Sequence, residues 1–140
     1  MYRLQTEDSF DAAHFLAGYD GKCHNIHGHR WRVIVEIQTA ALQESGQMRG
    51  MCVDFKMLKR DLKKITDKLD HALIIEKGSL KQKTLEALQA EEFTIIELPF
   101  RPTAEHLAQY FYENMNSLGY DISLVTIYET PANCASYSAD

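Results

Sequence analysis

The stretch HRWRVIVEIQT, residues 29–39, alternates in character along its whole length. Trp31, Val33, Val35 and Ile37 fall on one face, and Arg30, Arg32, Glu36 and Gln38 on the other. A period of two marks a strand with one buried side. Such a strand makes the frame of the fold an antiparallel sheet covered on one face. Upstream, YRLQTEDSFDAAH (2–14) reads as a weaker strand with Leu4 turned inward and a bend or bulge near Ser9, pairing with the first as a hairpin.

Downstream, Asp54 precedes a run in which Phe55, Leu58, Leu62, Ile65 and Leu69 recur three or four residues apart. That spacing predicts an amphipathic helix with Asp54 as its N-cap. A second helix starts after Pro102 at Thr103, runs through Leu107, Tyr110, Phe111, Asn114 and Leu118, and stops at Gly119. The segments 93–99 (FTIIELP) and 121–130 (DISLVTIYET) read as short strands, whereas 76–92 is polar and reads as a surface excursion with some helical character. The sum is a single α+β domain over 1–140, an antiparallel four-stranded sheet with two helices packed on one face. Two sheet edges are then open, and open edges are usually covered or paired.

Composition excludes several classes of function. With 15 basic and 20 acidic residues spread through the chain, a net charge of −5 supplies no basic stripe for nucleic acid. No apolar run approaches the roughly 18 to 20 residues of a membrane span, and the N-terminus lacks the apolar core of a secretory signal. A cytoplasmic location is the expectation. Cys23, Cys52 and Cys134 form no CxxC pair, which argues against a disulfide framework or a zinc ribbon.

The chemistry concentrates in KCHNIHGHRW, residues 22–31. If the strand alternation extends back to residue 27, His27 and His29 share the face of Trp31, and two imidazoles converge. His14, closing the preceding strand, is the natural third ligand of a catalytic zinc with one open position. Cys23 has several readings: ligand, nucleophile, base or small loop residue. Three histidines already make an open set, so the thiol is placed beside the metal, where a dication and His24 lower its pKa. Asp70 and His71, at the end of the first helix, pair an acid with an imidazole. Glu129, in an otherwise apolar strand, has two readings: a solvated carboxylate at a strand end, or a fixed acceptor of two N–H donors from a heterocycle edge, far from the metal.

Taken together, SFDAAH (9–14), CHNIHGH (23–29), VDF (53–55), LDH (69–71), PTAEH (102–106) and YET (128–130) resemble the 6-pyruvoyltetrahydropterin synthase family. The resemblance is closer to its bacterial 6-carboxytetrahydropterin synthase branch, which makes a queuosine precursor. It implies zinc on His14, His27 and His29, and Cys23 as catalytic proton acceptor. His71 and Glu129 are implied as relay partners, with Asp70 supporting His71. Substrate contacts are implied from Glu129, Thr103 and Glu105. It further implies the tunnelling fold, in which sheets of several subunits close into a barrel, and hence a homohexamer with sites between subunits. The implied substrate is 7,8-dihydroneopterin triphosphate, for whose phosphates Lys22, Arg30 and Arg101 are the candidate cations. His106, where the family motif has asparagine, and the 76–92 segment depart from the pattern. The three residues between Cys23 and His27 fit the carboxy branch, since the pyruvoyl enzymes carry a longer insertion. Two rivals stand beside this reading: a 6-pyruvoyltetrahydropterin synthase, and a non-catalytic metal-dependent module that binds a pterin or purine.

Overall fold

The computed structural model describes residues 1–140. Two 13-residue strands, β1 (Tyr2–His14) and β2 (His27–Thr39), form the central hairpin. Their pairing runs without a break from Tyr2 opposite Thr39 to His14 opposite His27, so the bulge expected near Ser9 does not exist. The irregularity falls instead between Glu36 and Ile37, where β2 meets β5 (Ile122–Thr130).

Helix α1 (Phe55–Leu69) opens on Asp54, whose carboxylate accepts from the Lys56 N–H at 2.8 Å. Its apolar stripe buries Leu58, Leu62, Ile65 and Leu69. Phe55, read as part of that stripe, is 53% exposed. Helix α3 (Ala104–Asn116) is capped by Thr103 and buries Leu107, Ala108, Phe111 and Met115. Both helices lie on the sheet face that carries Phe10, Trp31, Val33, Val35 and Ile37. Phe10 stacks on Trp31 at 6.1 Å and meets Phe111 at 5.8 Å, so one aromatic column ties sheet to helix.

The sheet has six strands rather than four, in the order β4-β3-β1-β2-β5-β6, and it is mixed rather than wholly antiparallel. Strand β3 (Ala72–Glu76) follows α1 after only two residues and lies parallel to β1. Strand β4 (Ile95–Leu98) lies parallel to β3. Parallel neighbours need a long crossover. The polar 76–92 segment supplies it, with helix α2 (Gln82–Ala90) inside. What reads as an excursion is therefore a structural connection. At the other edge β6 (Asn133–Tyr137) turns back on β5 as a short hairpin.

Candidate metal centre

The register that pairs His14 with His27 also brings His29 to the same end of the hairpin, on the core face. His14 is 1% exposed. One nitrogen each from His14, His27 and His29, with a Glu129 oxygen, lie within 4.8 Å of one another. The indole of Trp31 forms the floor, edge-on to His14 at 5.0 Å and to His29 at 5.3 Å.

Backbone carbonyls fix the two outer rings. His14 Nδ1 donates to the Pro102 carbonyl at 2.8 Å, and His27 Nδ1 donates to the Asn25 carbonyl at 2.7 Å. With both rings neutral, each Nε2 carries a lone pair and no proton, yet the two Nε2 atoms face each other at 3.1 Å. Facing lone pairs repel unless a cation lies between them, and a carbonyl locking the far nitrogen is how ligating histidines are oriented. The separation is close to the edge of about 3.3 Å of a tetrahedron with metal–nitrogen bonds of about 2.0 to 2.1 Å. His29 Nε2 is buried with no hydrogen-bond partner, although Glu129 Oε1 lies 3.2 Å away. This orphaned nitrogen and the two bare Nε2 atoms fit a metal ion.

Burial disfavours the charged ring. It pushes the His14 pKa down to about 4, only partly offset by the Pro102 carbonyl. It also lowers that of His29, against the opposing pull of Glu129. Neutral imidazole is the form a metal requires.

One residue stands in an unexpected relation to this centre. Glu129, expected far from the metal, belongs to the histidine cluster, while Cys23 stands outside it. Cys23 is half-buried at the centre of a single 3-10 turn, Lys22–His24, and its carbonyl accepts from Leu16 N at 2.9 Å. Only the expected distance fails, because alternation gives a residue's face, not its distance along that face from another strand.

Asp70 and His71 form a second unit. Asp70 Oδ1 accepts from the Asp11 N–H and Oδ2 from His71 Nδ1, both at 2.9 Å. The Asp11 N–H, then the His71 ring, hold the Asp70 carboxyl below its usual range. His71 has a left-handed backbone, φ 60°, and its N–H donates to the Asp11 carbonyl at 2.6 Å. A non-glycine residue held there by its surroundings is a feature of functional sites. His71 and His29 line one open cleft of about 450 Å³, with Asp11, Gly28 and Arg30. Glu129 and His29 line a neighbouring cleft of about 600 Å³ with Ser9, Arg32 and Thr130.

Of the other expected contacts, Thr103 spends its hydroxyl on capping α3, accepting from His106 N at 3.2 Å. Glu105 is exposed in the first turn of α3. His106 donates from Nδ1 to the Arg101 carbonyl at 2.8 Å. The backbone acceptors Pro102 and Asn25 escape a reading of the sequence. Asn25 lies two residues before His27 but Pro102 lies 88 residues from His14, and no residue type marks either carbonyl as an acceptor.

A family model described as 6-pyruvoyl tetrahydropterin synthase matches residues 3–140. The chain is 38% identical to the 6-carboxy-5,6,7,8-tetrahydropterin synthase of Haemophilus influenzae, over 98% of this chain and 99% of that one. It is 34% identical to the Rickettsia bellii protein of the same name, over 96% and 97%. The structure of Caenorhabditis elegans 6-pyruvoyl tetrahydropterin synthase superposes with a TM-score of 0.69 at 26% identity, covering 99% and 96% of the two chains. An uncharacterized Wolinella succinogenes protein shares the fold, with a TM-score of 0.79 at 22% identity over 99% and 98%. No helix is long and apolar enough to cross a membrane.

Proposed function

This chain belongs to the 6-pyruvoyl tetrahydropterin synthase family and has its tunnelling fold, and from that premise we propose that it is a zinc-dependent 6-carboxy-5,6,7,8-tetrahydropterin synthase. The reaction converts 7,8-dihydroneopterin triphosphate and water to 6-carboxytetrahydropterin, acetaldehyde and triphosphate, a step toward queuosine. The observation that carries the reading is the cluster of His14, His27 and His29, with two rings locked by carbonyls so that bare nitrogens converge. The similarity to carboxytetrahydropterin synthases along nearly the whole chain supports the carboxy branch. So does the short Cys23-to-His27 gap.

His14, His27 and His29 would hold the zinc, which when bound supplies Lewis acidity toward the oxygens of the substrate side chain. Cys23 takes a side-chain proton as thiolate. Asp70 accepts the His71 Nδ1–H, so a neutral His71 offers Nε2 as a proton acceptor, and the protonated ring returns a proton from the same atom. Glu129 accepts N–H donors of the pterin from the cleft it lines. Thr103 acts through α3's cap and the Pro102 loop that holds His14, and Glu105 meets the substrate at the rim. The working form is a cytoplasmic homohexamer with sites between subunits, consistent with the open edges at β4 and β6.

Mass spectrometry of the products from dihydroneopterin triphosphate tests this. Acetaldehyde and a carboxypterin are expected. A pyruvoyl pterin without acetaldehyde makes the chain a 6-pyruvoyltetrahydropterin synthase, and binding without turnover makes it a pterin-binding module.

A further inference from the structure

His106 stands outside the donor cluster, exposed in the first turn of α3, yet its ring is held. Nδ1 donates to the Arg101 carbonyl at 2.8 Å, and the His106 backbone N–H donates to Thr103 Oγ1 at 3.2 Å. The ring packs on Phe100 with 5.1 Å between centres, and Phe100 packs in turn against the hydrophobic core. One residue thus grips both ends of the segment from Arg101 to Thr103.

That segment carries the carbonyl on which His14 depends. Thr103 N donates back to the Arg101 carbonyl at 2.8 Å, a bond from the third residue to the first that closes a γ-turn around Pro102. The proline ring fixes φ and the γ-turn fixes ψ, so the Pro102 carbonyl cannot rotate relative to Arg101. Pro102 is buried, and its carbonyl accepts from His14 Nδ1 at 2.8 Å. Whatever fixes the Arg101 carbonyl therefore also aims the Pro102 carbonyl, and with it the His14 ring. Proline brings no N–H of its own to anchor the turn, and the His106 ring supplies a donor from outside it. A carbonyl partner sets the tautomer and direction of a ligating imidazole, and metal affinity falls when such outer partners are removed.

We propose that His106 is a positioning residue for the metal centre: it pins the turn at Arg101 and Pro102 so that the Pro102 carbonyl holds His14 with Nε2 toward the other ligands. This rests on the zinc reading above. Asparagine carries Nδ2 as many bonds from the backbone as histidine carries Nδ1, and leucine has that shape without a donor. H106N and H106L both lose the ring on Phe100, so the difference between them isolates the bond to Arg101. Two measurements compare the full chains of wild type, H106N and H106L, with urea stability followed alongside. The first is zinc affinity by competition with a chromophoric chelator. H106L should bind about tenfold more weakly, the low end for loss of an outer partner, and H106N like wild type. The second is the exchange rate of the His14 Nδ1–H proton, by NMR of the metal-free protein with isotope-labelled histidine. That proton should be protected in wild type and H106N and exchange about tenfold faster in H106L. If H106L does not fold, H106A, which also lacks a donor, takes its place. Wild-type zinc affinity or wild-type exchange in H106L overturns the proposal, as does an equal loss in H106N or an unprotected His14 proton in wild type. A wild type that binds no zinc would sink the zinc reading alone, since the ring proton judges His106 without the metal.

Discussion

Burial of His14 should make the metal-free protein lose stability in acid over a defined window. The folded pKa is about 4, against 6.5 for the ordinary ring, because the charged form is desolvated at a site 1% exposed. The folded pKa is depressed, so between the two values the unfolded chain binds the extra proton. The contribution is fully present above about pH 6.5 and is lost as pH falls toward 4. At 1.36 kcal/mol per pKa unit the full effect is about 3 kcal/mol, of which about 2 kcal/mol falls between pH 7 and pH 5. Urea denaturation of wild type and His14→Gln, in chelator at fixed protein concentration, measures it. The glutamine amide can still donate to the Pro102 carbonyl but cannot titrate. The drop in unfolding free energy from pH 7 to pH 5 should be smaller in the variant by about 2 kcal/mol. An unchanged pH dependence would show that His14 is solvated or charged in the folded state and would refute the reasoning.

Cys23→Ala should retain wild-type metal content and fold while losing nearly all turnover, because the thiol lies outside the donor cluster; parallel metal analysis and steady-state assay decide, and loss of metal makes the thiol a ligand. Asp70→Asn leaves one acceptor for two donors, Asp11 N–H and His71 Nδ1–H, so kcat should fall at least about tenfold with metal content unchanged; a wild-type rate would remove His71 from the proton path. Glu129→Gln should weaken an inert pterin analogue by about 1 to 3 kcal/mol in calorimetry. Its metal content decides a second point, since Glu129 Oε1 lies beside His29: a falling content would make the carboxylate the fourth ligand.

The central hairpin is legible because its signal is local. Alternation in 29–39 places Trp31 to Ile37 inward, and extending it back to His27 puts the two histidines on one face, as the structure has them. The caps Asp54 and Thr103 are equally local, each announcing its helix by residue type and position. Strand β3 is not legible. It begins two residues after α1, and no glycine or proline marks the break, because His71 takes the left-handed turn itself. Without β3, the 76–92 segment has no parallel pair to connect. Strand β6, NCASY, carries too few apolar residues to show a buried face. At the site, the clustered histidines are readable, but the carbonyls of Pro102 and Asn25 that lock His14 and His27 are not, since backbone acceptors leave no residue-type signature. Glu129's approach to His29 depends on the β2–β5 register, which no turn between them specifies.

The three-histidine centre is tested most directly by X-ray absorption at the zinc edge on the purified, metal-loaded protein, together with the metal stoichiometry. One equivalent of zinc per chain with only nitrogen and oxygen neighbours, and a spectrum unchanged in Cys23→Ala, is the predicted result. A sulfur neighbour at about 2.3 Å, or a protein that binds no zinc, would contradict it.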